Sequence, residues 1–159
     1  MIHDRNEPSI ANGFQAASAT IILASHQRMT NQALLAVPEK SDVGRALYDA
    51  PLVVLAHDIA SDPVFFYANR KAQQLFEMTW DELVCLPSRR SAESPARSER
   101  QRLLDQVARQ GYIDDYSGIR ISKTGKRFLI ERAIVWNLLD DDGQAAGQAA
   151  AFGSWIALA

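Results

Sequence analysis

Apolar residues in the first third of the chain recur with the period of a helix. Over residues 14–37 they follow one another at helical spacings, as at Phe14, Ala17, Ile21 and Ala24. This spacing places them on one face of a helix, which Pro38 ends. Residues 39–42 are expected to form a linker. The polar segment before the helix, residues 1–13, is predicted to be frayed or disordered.

Short apolar runs in the rest of the chain predict strands. Two runs of β-branched and aromatic residues, at 52–56 and 64–68, predict a first hairpin. Two later turns contain Gly125 and Gly143, which suit the tight connections of further hairpins. The strands that these turns join are predicted at residues 113–122, 127–138 and 145–156.

Capping signals between the two groups of strands predict three helices. Asn69 suits an N-cap, and Thr79 with Glu82 has the spacing of a capping box. A third helix is predicted from Ser94 to Gly111. The order of these elements predicts an α+β domain, a five-stranded antiparallel sheet with short helices on one face and an N-terminal helix. The sheet and its short helices would enclose a small cavity.

Composition and charge narrow the classes of function. The 159 residues carry 17 basic and 19 acidic side chains, and the net charge of -2 argues against a broad nucleic-acid-binding face. The longest apolar run, residues 19–24, is too short to cross a bilayer, and the N-terminus lacks a secretory signal. The single cysteine, Cys85, fits a reducing compartment. We therefore expect a cytoplasmic protein with no nucleic-acid partner and no membrane partner.

The order of strands and helices resembles the PAS fold, and a longer set of segments resembles the MEKHLA domain family, which is PAS-like. The resemblance covers residues 18–156. Its segments include residues 86–93 and 111–122, Gly125-Lys126-Arg127-Phe128, Val135-Trp136-Asn137-Leu138 and Gly147-Gln148-Ala149-Ala150. Members of this family occur alone in bacteria and at the C-terminus of plant homeodomain–leucine-zipper proteins. This chain resembles a bacterial stand-alone member.

The resemblance implies a sensory or dimerising module and does not imply a reaction. Residues 14–42 are interpreted as an N-terminal helix and linker, and residues 43–159 as the PAS-like MEKHLA domain. In PAS-like domains such a helix commonly packs on the outer face of the sheet or on a second subunit. We therefore expect a homodimer, with packing of the helix on its own domain as the alternative.

Four residues are predicted to line a ligand cavity. Strict alternation along residues 127–138 places Arg132 on the core face, where a buried guanidinium needs an acidic ligand or an internal carboxylate. A bulge or twist that carries Arg132 to solvent is the alternative. Trp136 and Tyr116 offer flat apolar faces with one polar group each, or else they fill the core. Gln148 lies in the last strand, where PAS domains often place a polar pocket residue, or else it is a surface amide.

Other candidate groups are interpreted as structural. The arginines among residues 89–102 are expected on a solvated helix face, with binding of a phosphate or carboxylate as the alternative. Cys85 is expected to be a small apolar filler. Cys85 also lacks the Asn-Cys-Arg-Phe context of the light-sensing flavin branch of PAS domains. No catalytic or metal-binding residue is assigned and the cofactor is unknown, because the histidines lack ligand spacing. These histidines are His3, His26 and His57.

Three functions remain open from the sequence. The first is a small-molecule-binding or sensory module that acts through dimer or partner contacts. The second is an interaction scaffold without a ligand, whose cavity is filled by Phe65, Tyr67 and Trp136. The third is a small enzyme, which needs a carboxylate in the cavity as acid or base. The candidates for that carboxylate are Glu93, Asp115 and Glu131.

Overall fold

A computed structural model describes residues 4–159, apart from the side chains of residues 94–96; His3 lies outside the described residues. The helices are α1 (Ala16–Thr30), α2 (Val43–Tyr48), α3 (Arg70–Phe76), α4 (Trp80–Leu83) and α5 (Ser94–Gln110). The strands are β1 (Val53–His57), β2 (Phe65–Ala68), β3 (Tyr112–Ile121), β4 (Arg127–Leu139), β5 (Ala145–Phe152) and β6 (Ser154–Ala157). Short 3-10 helices cover Ile10–Asn12, Lys40–Asp42 and Ser88–Ser91.

The strands form one antiparallel sheet in the order β2-β1-β5-β4-β3. β6 continues the position of β5, because β5 pairs with the second half of β4 while β6 pairs with its first half. The predicted α+β class is confirmed, and the last predicted strand is interrupted at Gly153 to give a sixth strand. No helix among residues 4–159 has the length and apolar character needed to cross a bilayer.

A β-bulge in β4 exchanges the faces of that strand. Ile130 pairs with Gly118 and Ala133 pairs with Tyr116, so that two residues of β4 oppose a single residue of β3. Arg132 is one of these two residues, and its φ of 51° lies in the left-handed region. The extra residue reverses the alternation beyond it. Arg132 therefore does not lie on the core face, and the structure shows the alternative arrangement, in which a bulge carries its side chain to solvent.

Helix α1 covers part of the sheet face that points away from the short helices. The indole Nε1 of Trp136 donates to the carbonyl oxygen of Ile22 at 3.1 Å. The helix ends at Thr30 and not at residue 37, because Asn31 adopts φ 61° and its N–H bonds to the Gln27 carbonyl. The structure thus contains the alternative arrangement, in which this helix packs on its own domain.

The described part of the predicted frayed start packs against the domain. The guanidinium of Arg5 donates to the carbonyl oxygens of Phe65 and Val84 and pairs with Asp58 at 3.0 Å. The indole Nε1 of Trp80 in turn donates to the Arg5 carbonyl at 2.8 Å. These contacts join Arg5 to β2 and α4.

The predicted N-caps of α3 and α4 are confirmed on the opposite layer of the domain, whereas α5 has Glu93 and not Ser94 as its N-cap. The Asn69 side chain accepts from the N–H groups of Ala72 and Val54, and it therefore caps α3 and joins that helix to β1. Thr79 and Glu82 form the capping box of α4. Helices α3 and α5, together with the Ser88–Ser91 turn, form the roof of a cavity above the sheet.

Candidate functional site

A buried cavity of about 60 Å³ lies between the sheet and helix α5. Strands β1 to β5 form its floor, and α5 lies above it with one side chain each from α3 and the Ser88–Ser91 turn. Most of the lining is apolar, including Leu55, Phe65, Phe76, Leu103, Ile130 and Val135. Polar side chains enter this apolar space at only a few points, so their identities decide which ligand the cavity can hold.

Arg100 enters the cavity from α5. It shares a helix face with Leu103 and Val107, which lie three and seven positions further on, and it is 6% exposed. One Nη2–H donates to the Ser88 hydroxyl at 2.6 Å. Burial lowers the pKa of Arg100 to about 10, and the positive charge of Arg120 adds to the decrease. The Arg100 guanidinium has no carboxylate partner among the described residues.

Arg120 enters the cavity from β3, and Tyr116 orients it. Its guanidinium donates to the Tyr116 hydroxyl at 3.1 Å and lies 5.5 Å from the centre of that ring. The ring reaches this position by lying over Gly118, where an added Cβ would sit 2.1 Å from the tyrosine oxygen. Arg120 is 8% exposed. The glycine is therefore needed for the close approach that holds the second arginine in place.

The cavity carries positive charge without an acidic partner. Among the described residues, neither Arg100 nor Arg120 forms an ion pair, whereas Arg89 pairs with Asp62 at the surface. No described Asp or Glu lines the cavity. A buried charge is normally paired, since its transfer from water is very unfavourable. Two adjacent unpaired guanidinium groups form the arrangement that binds carboxylates and phosphates.

His57 supplies a buried acceptor at the end of β1. It is 8% exposed, and its Nδ1 lies 2.9 Å from the Asp58 carbonyl oxygen, to which only an N–H can donate. Nε2 is therefore an acceptor in the neutral ring, and it has no partner among the described residues. Burial lowers the pKa of His57 to about 4, with Arg100 adding to the decrease, so the ring is neutral at neutral pH.

Gln148 lies where the cavity meets a surface groove. Its amide donates to the Leu104 carbonyl of α5 at 3.0 Å and to the Asn137 side chain at 3.1 Å. The groove runs between α5 and the β1–β2 connection and shares His57, Leu104 and Gln148 with the cavity lining. These three side chains therefore separate the cavity from solvent at this point.

The structure brings together two of the four predicted lining residues. Tyr116 and Gln148 line the cavity. Arg132 is exposed on the bulge, and Trp136 is buried on the opposite face under α1, because the bulge reverses the alternation of β4. Neither of these two is among the residues that line the cavity. The guanidinium groups that can anchor an acidic ligand come from α5 and β3 instead of β4.

The sequence did not indicate Arg120 or His57 as lining residues, and it offered Arg100 only within the arginine cluster of residues 89–102, as the less favoured alternative to a solvated helix face. The charged neighbours of Arg100 favour a solvated helix face, although its spacing to Leu103 matches the apolar stripe of α5. Arg120 lies four positions after Tyr116 in β3, and an even spacing in a strand places two side chains on the same face. Both signals are present in the sequence, but a charged side chain at an apolar position is ordinarily assigned to the surface.

The carboxylates considered for an enzyme lie elsewhere. Glu93 pairs with Arg127 at 2.7 Å, and Asp115 is exposed on β3. Glu131 is half-buried beside Arg132 at the bulge. None of the three is among the residues that line the cavity. The groups that do line it are cationic, neutral or apolar, and they suit binding better than proton transfer.

One protein-family model matches this chain along most of its length. The model of the MEKHLA domain matches residues 16–157, which is nearly the whole sequence. The chain belongs to the MEKHLA domain family. The family that the sequence segments indicated is therefore confirmed.

Curated relatives of this MEKHLA domain are much longer proteins. The homeobox-leucine zipper protein HOX29 of Oryza sativa subsp. japonica is 24% identical over 102 residues, 64% of this chain and 12% of HOX29. The homeobox-leucine zipper protein ATHB-14 of Arabidopsis thaliana is 27% identical over 95 residues, 60% of this chain and 11% of ATHB-14. The matched part thus spans about an eighth of these relatives.

Solved structures place this MEKHLA domain in the PAS fold. The PAS domain of a protein from Colwellia psychrerythraea superposes with a TM-score of 0.59 at 13% identity, over 67% of this chain and 88% of that one. A light-oxygen-voltage domain studied with a flavin analogue superposes with a TM-score of 0.58 at 14% identity, over 74% of this chain and 84% of that one. The light-state dimer of the fungal blue-light photoreceptor Vivid superposes with a TM-score of 0.57 at 14% identity, over 82% of this chain and 89% of that one.

The cavity of this MEKHLA domain does not fit a flavin. Its volume of about 60 Å³ is below the ~150 Å³ cavity that holds a single benzene ring, and an isoalloxazine is a fused three-ring system. Cys85 is exposed and is not among the lining residues. The expectation that Cys85 is an apolar filler is also not met, because its thiol lies at the surface.

Proposed function

We propose that this MEKHLA domain is a PAS-type sensory module whose cavity binds a small carboxylate. The observation that carries this proposal is the pair of buried guanidinium groups, Arg100 and Arg120, which lack an acidic partner among the described residues. A carboxylate accepts two hydrogen bonds from such donors and supplies the missing negative charge. Binding would thereby stabilise the conformation in which α5 covers the sheet.

The size of the cavity restricts the ligand to a compact acid. A volume of about 60 Å³ is below the ~150 Å³ that holds benzene. The apolar floor around Ile130 and Val135 favours a short hydrocarbon part beside the charged head. Propionate combines both features and is the probe that we choose.

The comparisons support a sensory role for such a site. The neighbours in the PAS fold include a blue-light photoreceptor and a light-oxygen-voltage domain. A sensor needs two conformations whose populations the ligand shifts through its unequal affinities for them. The amide contacts of Gln148 and Asn137 with α5 are the natural place for that change, since they join the roof of the cavity to the sheet.

Titration calorimetry with propionate tests the proposal, with propionamide as the uncharged analogue. We expect propionate to bind and propionamide not to bind. Arg100→Gln and Arg120→Gln should each weaken propionate binding by about tenfold or more, because a hydrogen bond to a charged group contributes about 1.5–3 kcal/mol.

Arg132→Gln is the matched control for these variants. It removes the same charge from an exposed position of the same sheet, and propionate affinity should stay unchanged. Equal binding of propionate and propionamide would overturn the proposal. So would the lack of propionate binding in the millimolar range, or an equal loss in all three variants.

We further propose that this module acts as a homodimer through the uncovered part of its sheet. Ile119 of β3 and Ile156 of β6 both flank Leu129 of β4, on the face opposite the cavity. Ile119 is 42% exposed and Ile156 is 48% exposed, which leaves a row of apolar side chains beside the area that α1 covers. The PAS-fold neighbour Vivid forms a light-state dimer, which supports a dimer here as well.

A further inference from the structure

We propose that the ligand of the cavity carries a hydroxyl group beside its carboxylate, and that the hydroxyl donates to Nε2 of His57. The inference rests on the proposed function and extends it from small carboxylates in general to small hydroxycarboxylates. The observation behind it is an unpartnered buried acceptor on the wall of a cavity that already holds two anion-binding groups.

The backbone determines which nitrogen of His57 is the acceptor. Nδ1 lies 2.9 Å from the Asp58 carbonyl oxygen and must carry the ring proton to make that hydrogen bond. Nε2 then presents a lone pair. His57 pairs with Gln148 across β1 and β5, and Gly147 allows the close approach, since a Cβ there would lie 1.9 Å from the His57 carbonyl oxygen. The Asp58 carbonyl thus orients the ring, and the Gly147 contact brings β5 against the backbone of His57.

No described neighbour donates to this acceptor. One Nη2–H of Arg100 is directed to the Ser88 hydroxyl, and the Gln148 amide is directed to the Leu104 carbonyl and the Asn137 side chain. The Arg120 guanidinium is directed to Tyr116 and to the Ile119 carbonyl. A buried acceptor without a donor is unfavourable, so a ligand that supplies an O–H gains more than one that supplies a methyl group.

Glycolate and propionate form an isosteric pair that tests this inference. They share the carboxylate and differ by a hydroxyl in the place of a methyl group. We expect glycolate to bind about tenfold more tightly than propionate by titration calorimetry, because a site that hydrogen-bonds a hydroxyl discriminates against an analogue that lacks it.

His57→Phe removes the acceptor and retains a ring. This variant should bind propionate as the unsubstituted protein does and should lose the preference for glycolate. Where it does not fold, ¹⁵N NMR of the unsubstituted protein gives the same information, because glycolate and not propionate should shift the His57 Nε2 resonance.

The possible outcomes separate the two proposals. Equal affinities for glycolate and propionate would overturn the hydroxyl inference and leave the carboxylate site standing; this is also the result expected if a water molecule occupies Nε2. A glycolate preference that persists in His57→Phe would overturn it as well. If neither acid binds, both proposals fail together.

Discussion

At the scale of single residues, the cavity buries polar and charged side chains, and this burial lowers the free energy of unfolding. Arg100 remains a cation in an apolar wall, and burial lowers its pKa to about 10. His57 remains neutral because burial lowers its pKa to about 4. Both shifts express the free energy that is lost when a charge leaves water. Groups kept under such conditions in a cavity are candidates for binding a ligand.

The stability of the protein should therefore fall in acid through His57. The unfolded histidine takes up a proton below its ordinary pKa of 6.5, whereas the folded one stays neutral until about pH 4. Because the unfolded state binds more protons in this window, the free energy of unfolding decreases as the pH falls, by about 3 kcal/mol at the lower end. Urea denaturation across this range should give a smaller decrease in His57→Phe. Parallel curves for the two proteins would contradict the buried neutral ring.

At the scale of elements, the bulge of β4 determines which side chains reach the cavity. Before it, Phe128 and Ile130 face the helices; after it, Ala133 and Val135 do so. Arg132 makes this exchange possible by adopting φ 51°. A left-handed residue other than glycine costs about 1–2 kcal/mol, so the paired strands on both sides must maintain it.

In a regular strand valine gives a more stable protein than glycine, and substitutions at the bulge should reverse this order. Arg132→Gly should leave the free energy of unfolding within about 0.5 kcal/mol, while Arg132→Val should lower it by about 1–2 kcal/mol, because a branched side chain opposes positive φ. Chemical denaturation measures both. At exposed Arg127, in the regular part of the same strand, valine should be at least as stable as glycine. The same ranking at both positions would contradict the strained bulge.

At the scale of the whole molecule, the two faces of the sheet are covered by different elements. One face holds the cavity under α3 and α5, and the other is covered by α1 over Trp136 but is open around Ile119 and Ile156. A ligand that moves α5 can affect β4 through Asn137, whose amide donates to the Val107 carbonyl. In the proposed dimer, β4 contributes to the cavity and to the contact between subunits, so it would connect them.

Sedimentation velocity tests the proposed dimer. The unsubstituted protein should sediment as a dimer at micromolar concentration, and Ile119→Lys with Ile156→Lys should make it a monomer, because charges desolvated in an apolar interface are unfavourable. Ile59→Lys is the matched control, since Ile59 is 62% exposed in the β1–β2 connection and should not affect association. A monomeric unsubstituted protein, or a dimer that the sheet substitutions do not change, would contradict this surface.

The sequence alone determined the order of elements and the family of this protein. Caps and turns are local, so Asn69, Thr79 and the glycine turns define helix starts and hairpins through hydrogen bonds between near neighbours. Periodicity likewise predicted the strands of an antiparallel sheet. These features depend on a few consecutive residues, which is why they could be predicted without knowing what packs against them.

Only the tertiary structure decided which side chains meet in the cavity. One extra residue in β4 sends Arg132 to solvent and Trp136 under α1, and the sequence offered such a bulge only as an alternative. The packing of α5 over β3 brings Arg100 close to Arg120, although these residues lie on separate elements. Contacts between distant segments depend on register and on packing of whole faces, so the chemistry of this cavity arises only when the sheet and its roof have formed.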